Sequence, residues 1–130
     1  MKTEKILIFK KEQLLTHQGD VVLERLAELP EKAKKCEIEP LAKGETSGHE
    51  HILKVKDRID SQEIEFYKDE QGRMYFKVVE GIRARHEIGG QWTGEHDTID
   101  IEPSKTMPYI GVRIQRVEDP YLETTSQIKD

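Results

Sequence analysis

The chain has 130 residues, with 35% hydrophobic and 36% charged, and a formal net charge of −5. That is long enough for one domain with its own core, but the core is small and the surface dense in mixed charge. The acidic balance argues against general binding to a phosphate backbone, which needs a basic face. Cys36 is the single cysteine, so an intramolecular disulfide and a Cys-rich zinc ribbon are excluded. With no long apolar run and no charged-then-apolar leader, the expectation is a cytoplasmic protein with no membrane segment. A viral or mobile-element protein in a host cytoplasm has the same appearance.

Lys5 to Lys10 is a short β-branched apolar run, predicted as a strand. Thr16 to Asp20 reads as a turn, and Val21 to Leu23 as a second strand. Leu23, Leu26 and Leu29 also fit one face of a short helix ending before Pro30, so that alternative stays open. Pro30 to Pro40 is polar, lysine-rich and expected to be exposed.

Gly44 to Gly48 is expected to form a loop. From there the chain alternates. His49, His51, Leu53 and Val55 fall on one face, and Glu50, Ile52, Lys54 and Lys56 on the other. Both histidines take the more apolar side. Glu63 to Lys68 and Arg73 to Val79 read as a β-hairpin closed by Asp69-Glu70-Gln71-Gly72, with Ile64, Phe66, Met74, Phe76 and Val78 inward.

In the next segment Ile82, Ala84, His86 and Ile88 share a face against Arg83, Arg85 and Glu87. A local basic patch around Arg83 and Arg85 is compatible with the acidic total. The loop Gly89 to Gly94 carries Trp92, either a lid over a site or an anchor packed against the sheet. Thr98 to Glu102 alternates with Ile99 and Ile101 inward. Extended backwards, that register puts His96 on the polar side, unless His96 precedes the strand or sits at a bulge. Tyr109 to Val117 is the last strand, with Ile110, Val112 and Ile114 inward.

Short strands at regular spacing predict an all-β, mainly antiparallel fold, a compact barrel or sandwich with at most one short helix. Residues 1–123 are expected to form a single domain and 124–130 a flexible tail. Uncapped sheet edges suit pairing with a second copy as a homodimer.

Four histidines carry the chemistry. A His-x-His strand aims two imidazoles at one spot, as a metal site requires, and His86 is inward on a separate strand. His49, His51, His86 and His96 form the candidate ligand set. Glu45 and Glu95 are the carboxylates placed to join or support it. Imidazole ligands suit zinc, iron, nickel or copper, and three ligands with an open position suit activation of a water. The competing reading is structural, because inward histidines are often satisfied by backbone carbonyls or hydroxyls. In that case the protein is a non-catalytic binding or accessory module. His17 lies outside both clusters.

Other signals are weaker. Thr46 and Ser47 adjoin His49, but no Gly-x-Ser-x-Gly elbow is present. Gly89, Gly90 and Gly94 lack the Lys-Ser/Thr of a phosphate loop. Lysines beside Cys36 favour its thiolate. A cupin needs a glutamate shortly after its His-x-His, where this chain has Lys54 to Lys56.

Gln18-Gly19-Asp20-Val21, Gly44-Glu45-Thr46-Ser47-Gly48-His49-Glu50-His51, then His86 and Glu95-His96, resemble a family of small uncharacterised proteins of bacteria, archaea and their viruses. Ile101-Glu102-Pro103 and Gln115-Arg116 extend the likeness. That family's pattern is Gln-Gly-Asp-Val, Gly-Glu-x-Thr-Gly-His-x-His and a His close to a Glu-His pair. Ser47 replaces the usual threonine, and the stretch from His86 to Glu95 is longer. The resemblance implies one histidine site and no named activity.

Overall fold

A computed structural model describes residues 5–43, 49–58 and 63–115, with backbone only at Lys43 and His49. Glu45, Thr46, Ser47, the expected Gly44–Gly48 loop, the expected tail and the last strand beyond Gln115 lie outside these residues, as does the side chain of His49.

Twelve strands are formed among the described residues. In chain order they are β1 (Ile6–Phe9), β2 (Leu15–Gln18), β3 (Val21–Leu26), β4 (Lys34–Cys36), β5 (Ala42–Lys43), β6 (His49–Val55), β7 (Glu65–Lys68), β8 (Met74–Lys77), β9 (Ile82–Ile88), β10 (Gln91–Trp92), β11 (Thr98–Ile101) and β12 (Tyr109–Ile114). One sheet runs β1-β11-β9-β6-β5, with β10 beside the far end of β9; the other runs β2-β3-β12-β8-β7-β4. Every pairing is antiparallel except β1 with β11. The two sheets make a sandwich and do not close into a barrel.

The period-2 pattern explains the core. Leu53 and Val55 of β6, Ile82 and Ala84 of β9, and Ile99 and Ile101 of β11 face Val21 and Leu23 of β3, Phe66 and Phe76 of the β7–β8 hairpin, and Ile110 and Val112 of β12 as one buried cluster. Alternation is retained because each sheet has one wet face, so a one-residue slip would expose the whole apolar set. Arg25 is the exception on β3. It is 4% exposed, lies 4.3 Å over the Phe9 ring, and donates to the carbonyls of Phe9 and Lys10. It thus fastens β3 to the end of β1. Burial holds its pKa below the usual arginine value, opposed by Glu102 and Glu12.

Several expectations are corrected. No helix occurs among the described residues, and the Leu23 to Leu29 stretch is strand as far as Leu26. Thr16, His17 and Gln18 belong to β2, leaving Gly19-Asp20 as a two-residue hairpin turn. Gly19 at φ +58° supplies the positive φ that the first central position of a type II′ turn demands. Polar Pro30 to Pro40 contains the short strand β4. Ile114 is 42% exposed, because β12 pairs with β8 only as far as Gly111 and runs on beside β3 alone.

Candidate metal centre

Strand register builds the site. His51 of β6 and His86 of β9 are direct cross-strand partners. Both point inward, 6% and 2% exposed, and their ring centroids are 4.9 Å apart at a steep angle. Directly paired residues on one face of an antiparallel pair bring their side chains into contact, so the β6–β9 register by itself brings His51 and His86 together.

His96 completes the cluster from outside both strands. Its ring lies 5.3 Å from His51, stacked, and 4.7 Å from His86, edge-on. β11 begins at Thr98, so the register that turned His96 away ends before reaching it. One ligand atom from each of His51, His86 and His96 lies within 4.8 Å of the other two. Nitrogens sharing a tetrahedral ion at zinc–nitrogen distances stand about 3.4 Å apart, so an ion requires modest inward movement of the rings.

The surroundings set the rings for ligation. The Gln18 amide nitrogen donates to the carbonyls of Ala84 and Asp97, each at 2.8 Å. These two bonds fix the amide, so its oxygen is the atom 2.8 Å from His51 Nδ1. A carbonyl oxygen only accepts, hence His51 carries a proton on Nδ1, and the neutral ring has its lone pair on Nε2. Such outer hydrogen bonds are the usual way a protein orients a ligating histidine. His86 Nδ1 is held at 2.8 Å by the Thr93 hydroxyl, which also accepts from the Glu95 backbone N–H at 3.3 Å. The Glu95 carboxylate stands 3.7 Å from His86 Nε2, too long for a hydrogen bond but near the spacing of two ligands on one ion.

Gly19 makes room. A Cβ there would lie 2.8 Å from His96 Nε2, so only glycine lets the β2–β3 turn approach that ring. The Gln18-Gly19 pair therefore serves two of the three histidines, a role that a turn over Thr16 to Asp20 does not predict. The signal was present as the Gln-Gly-Asp-Val block.

A family model described as a domain of unknown function (DUF8820) matches residues 17–105. The chain belongs to this family. The DUF8820 match contains Gln18, Gly19, His51, His86, Thr93, Glu95 and His96. No curated protein and no solved structure matches the chain.

His17 sits on β2 opposite Val22 and is not one of the three clustered rings. It lines a cavity of about 380 Å³ together with Thr16, Leu7, Glu95 and His96, so the cluster opens to solvent on that side. Trp92 pairs with Glu87 and shares its outward face, opposite to His86. It is an anchor on the sheet and not a lid on the histidines. Cys36 is no reactive thiolate: burial pushes its thiol up, Glu39 adds to this, and Lys68 only partly offsets it.

Proposed function

We propose that this DUF8820 domain binds a divalent transition metal through His51, His86 and His96, with Glu95 as a fourth or outer carboxylate. The observation that carries the reading is the Gln18–His51 bond. A side chain whose donors are fully used presents its oxygen to Nδ1, which puts the lone pair of the neutral ring on Nε2, beside two other imidazoles. Three histidines with a carboxylate are the donor set of zinc, iron, nickel or copper. The cavity beside Glu95 and His96 leaves a coordination position reachable by water or a small ligand, and metal-assisted hydrolysis is the reaction class this arrangement suits.

A structural reading has its own support. His51 and His86 each already hold a protein acceptor or hydroxyl at Nδ1, and the three rings pack on one another, as a metal-free polar plug between the sheets would.

The deciding experiment measures bound metal on untagged protein, followed by titration of the chelated protein with zinc, nickel, copper and iron(II). One equivalent, lost in His86→Ala and in His96→Ala, is the expected result. Absence of saturable binding for all four ions, with His96→Ala clearly less stable than the parent, would leave the structural reading in its place.

A further inference from the structure

The opposite face of the same two strands carries a second feature. Lys54 of β6, Arg83 and Arg85 of β9, and Arg58 just past β6 converge on a concavity of about 150 Å³, with Asp57 as its one carboxylate. Most of these cations are engaged. Lys54 pairs with Glu87 at 3.0 Å, and Arg83 with Asp100 at 2.6 Å and Asp57 at 3.7 Å. Arg58 pairs with Glu63 and Glu80, and nearby Lys56 shares Asp100.

Arg85 differs. It is half-buried, and among the described residues it makes neither an ion pair nor a hydrogen bond; its Nε is sealed from water without an acceptor. Strand register sets Thr98 beside it, since Ala84 pairs with Ile99, and the Thr98 hydroxyl is likewise buried and unbonded. Buried polar groups are almost always satisfied, so two neighbours left unmet call for an absent partner. The unmet group is a guanidinium, whose fork of donors matches oxyanions, and the cavity lining holds an excess of positive charge in a protein whose total is −5.

We propose that Arg85, with Arg83, Lys54 and Arg58, forms a binding site for a phosphoryl group. The volume is below the about 300–1,000 Å³ of sites that enclose a whole drug-sized ligand, so the site takes an anionic head group and leaves the remainder of its bearer outside. The site lies on the outer face of β6 and β9 and does not depend on the histidines, which face inward.

The test is calorimetric titration with inorganic phosphate at constant ionic strength and in chelator, with acetate in a parallel arm. Saturable phosphate binding is expected, at least tenfold weaker in Arg85→Gln and unchanged in Lys105→Gln. Amide shifts on adding phosphate to the parent protein should centre on residues 54–58 and 83–85, which keeps the test open if Arg85→Gln fails to fold. No saturable binding, equal binding in Arg85→Gln, acetate binding as tight as phosphate, or shifts confined to other residues would each overturn the proposal.

Discussion

The side-chain oxygen of Gln18 lies 2.8 Å from Nδ1 of His51 and so ties the β2–β3 hairpin of one sheet to the histidine pair of the other. If that bond sets the tautomer of a ligand, its loss weakens metal binding without removing a ligand. Gln18→Leu is expected to lower zinc affinity by about 10–100-fold, the usual effect of losing a group that orients a ligating histidine. It also strands the carbonyls of Ala84 and Asp97, at a cost of about 1–3 kcal/mol. Competition with a chromophoric chelator measures the first effect and urea unfolding in chelator the second. Undiminished zinc affinity would show that the bond only holds the sheets together.

His86 and His96 are expected to separate stability from binding. His86 is 2% exposed and bonded to Thr93, so His86→Ala leaves a cavity and takes from the Thr93 hydroxyl one of its two partners. A loss of about 2–3 kcal/mol follows even in chelator. His96 is half-buried and sits outside the strands, so His96→Ala should change chelator-treated stability by under about 1 kcal/mol. Both should abolish the rise in melting temperature that saturating zinc gives the parent protein. A zinc-dependent rise that survives in both variants would place the ion elsewhere.

Gly19 gives the sharpest steric prediction. A methyl there meets His96 Nε2 at 2.8 Å and also occupies a backbone with φ +58°. The left-handed conformation alone costs a non-glycine residue about 1–2 kcal/mol. Gly19→Ala should therefore be destabilised by at least that amount and should also lose metal affinity, because the ring must move. A melting curve and a zinc titration on the same sample check both, and an intact affinity would mean that His96 tolerates displacement.

How far these relationships could be read beforehand depends on how local they are. The inward phase of His51 and His86 follows from alternation alone, and so do the β7–β8 hairpin and the buried faces of β6, β9 and β11. The pairing of β6 with β9, which sets His51 beside His86, is not local, and no pattern within either strand names its partner. For His96 the pattern leaves two alternatives open, a polar-side position in the register of β11 or a place before that strand. The second holds because β11 starts at Thr98 and the Asp97 carbonyl accepts from Gln18. Gln18 itself looked like a turn residue because glycine and aspartate follow it. Its role appears only when the second sheet is laid on the first. Ile114 differs for the opposite reason: its phase follows the apolar alternation of β12, but by that point the strand has outrun β8 and the side chain is exposed.

Asp69 offers a test of the fold that leaves the histidines alone. It closes the β7–β8 hairpin, accepting from the backbone N–H groups of Gln71 and Arg73, both at 2.9 Å, and from the Tyr75 hydroxyl at 2.9 Å. Burial acts to raise its pKa, but the bonds from Arg73, Tyr75 and Gln71 outweigh it and hold the carboxyl below the ordinary value of 3.8. A depressed folded-state pKa means that the folded form binds the proton less readily than the unfolded chain. The stabilisation is thus complete above the unfolded value and drains away as pH falls through the folded one. Asp69→Asn retains a side-chain carbonyl but cannot ionise, so it should be less stable than the parent at pH 7. The difference should shrink steadily as the pH is lowered below 3.8. Urea midpoints of the two proteins across this range, in chelator so that no metal equilibrium intrudes, measure the convergence. Parallel pH profiles would show that the charge of Asp69 contributes nothing to the hairpin.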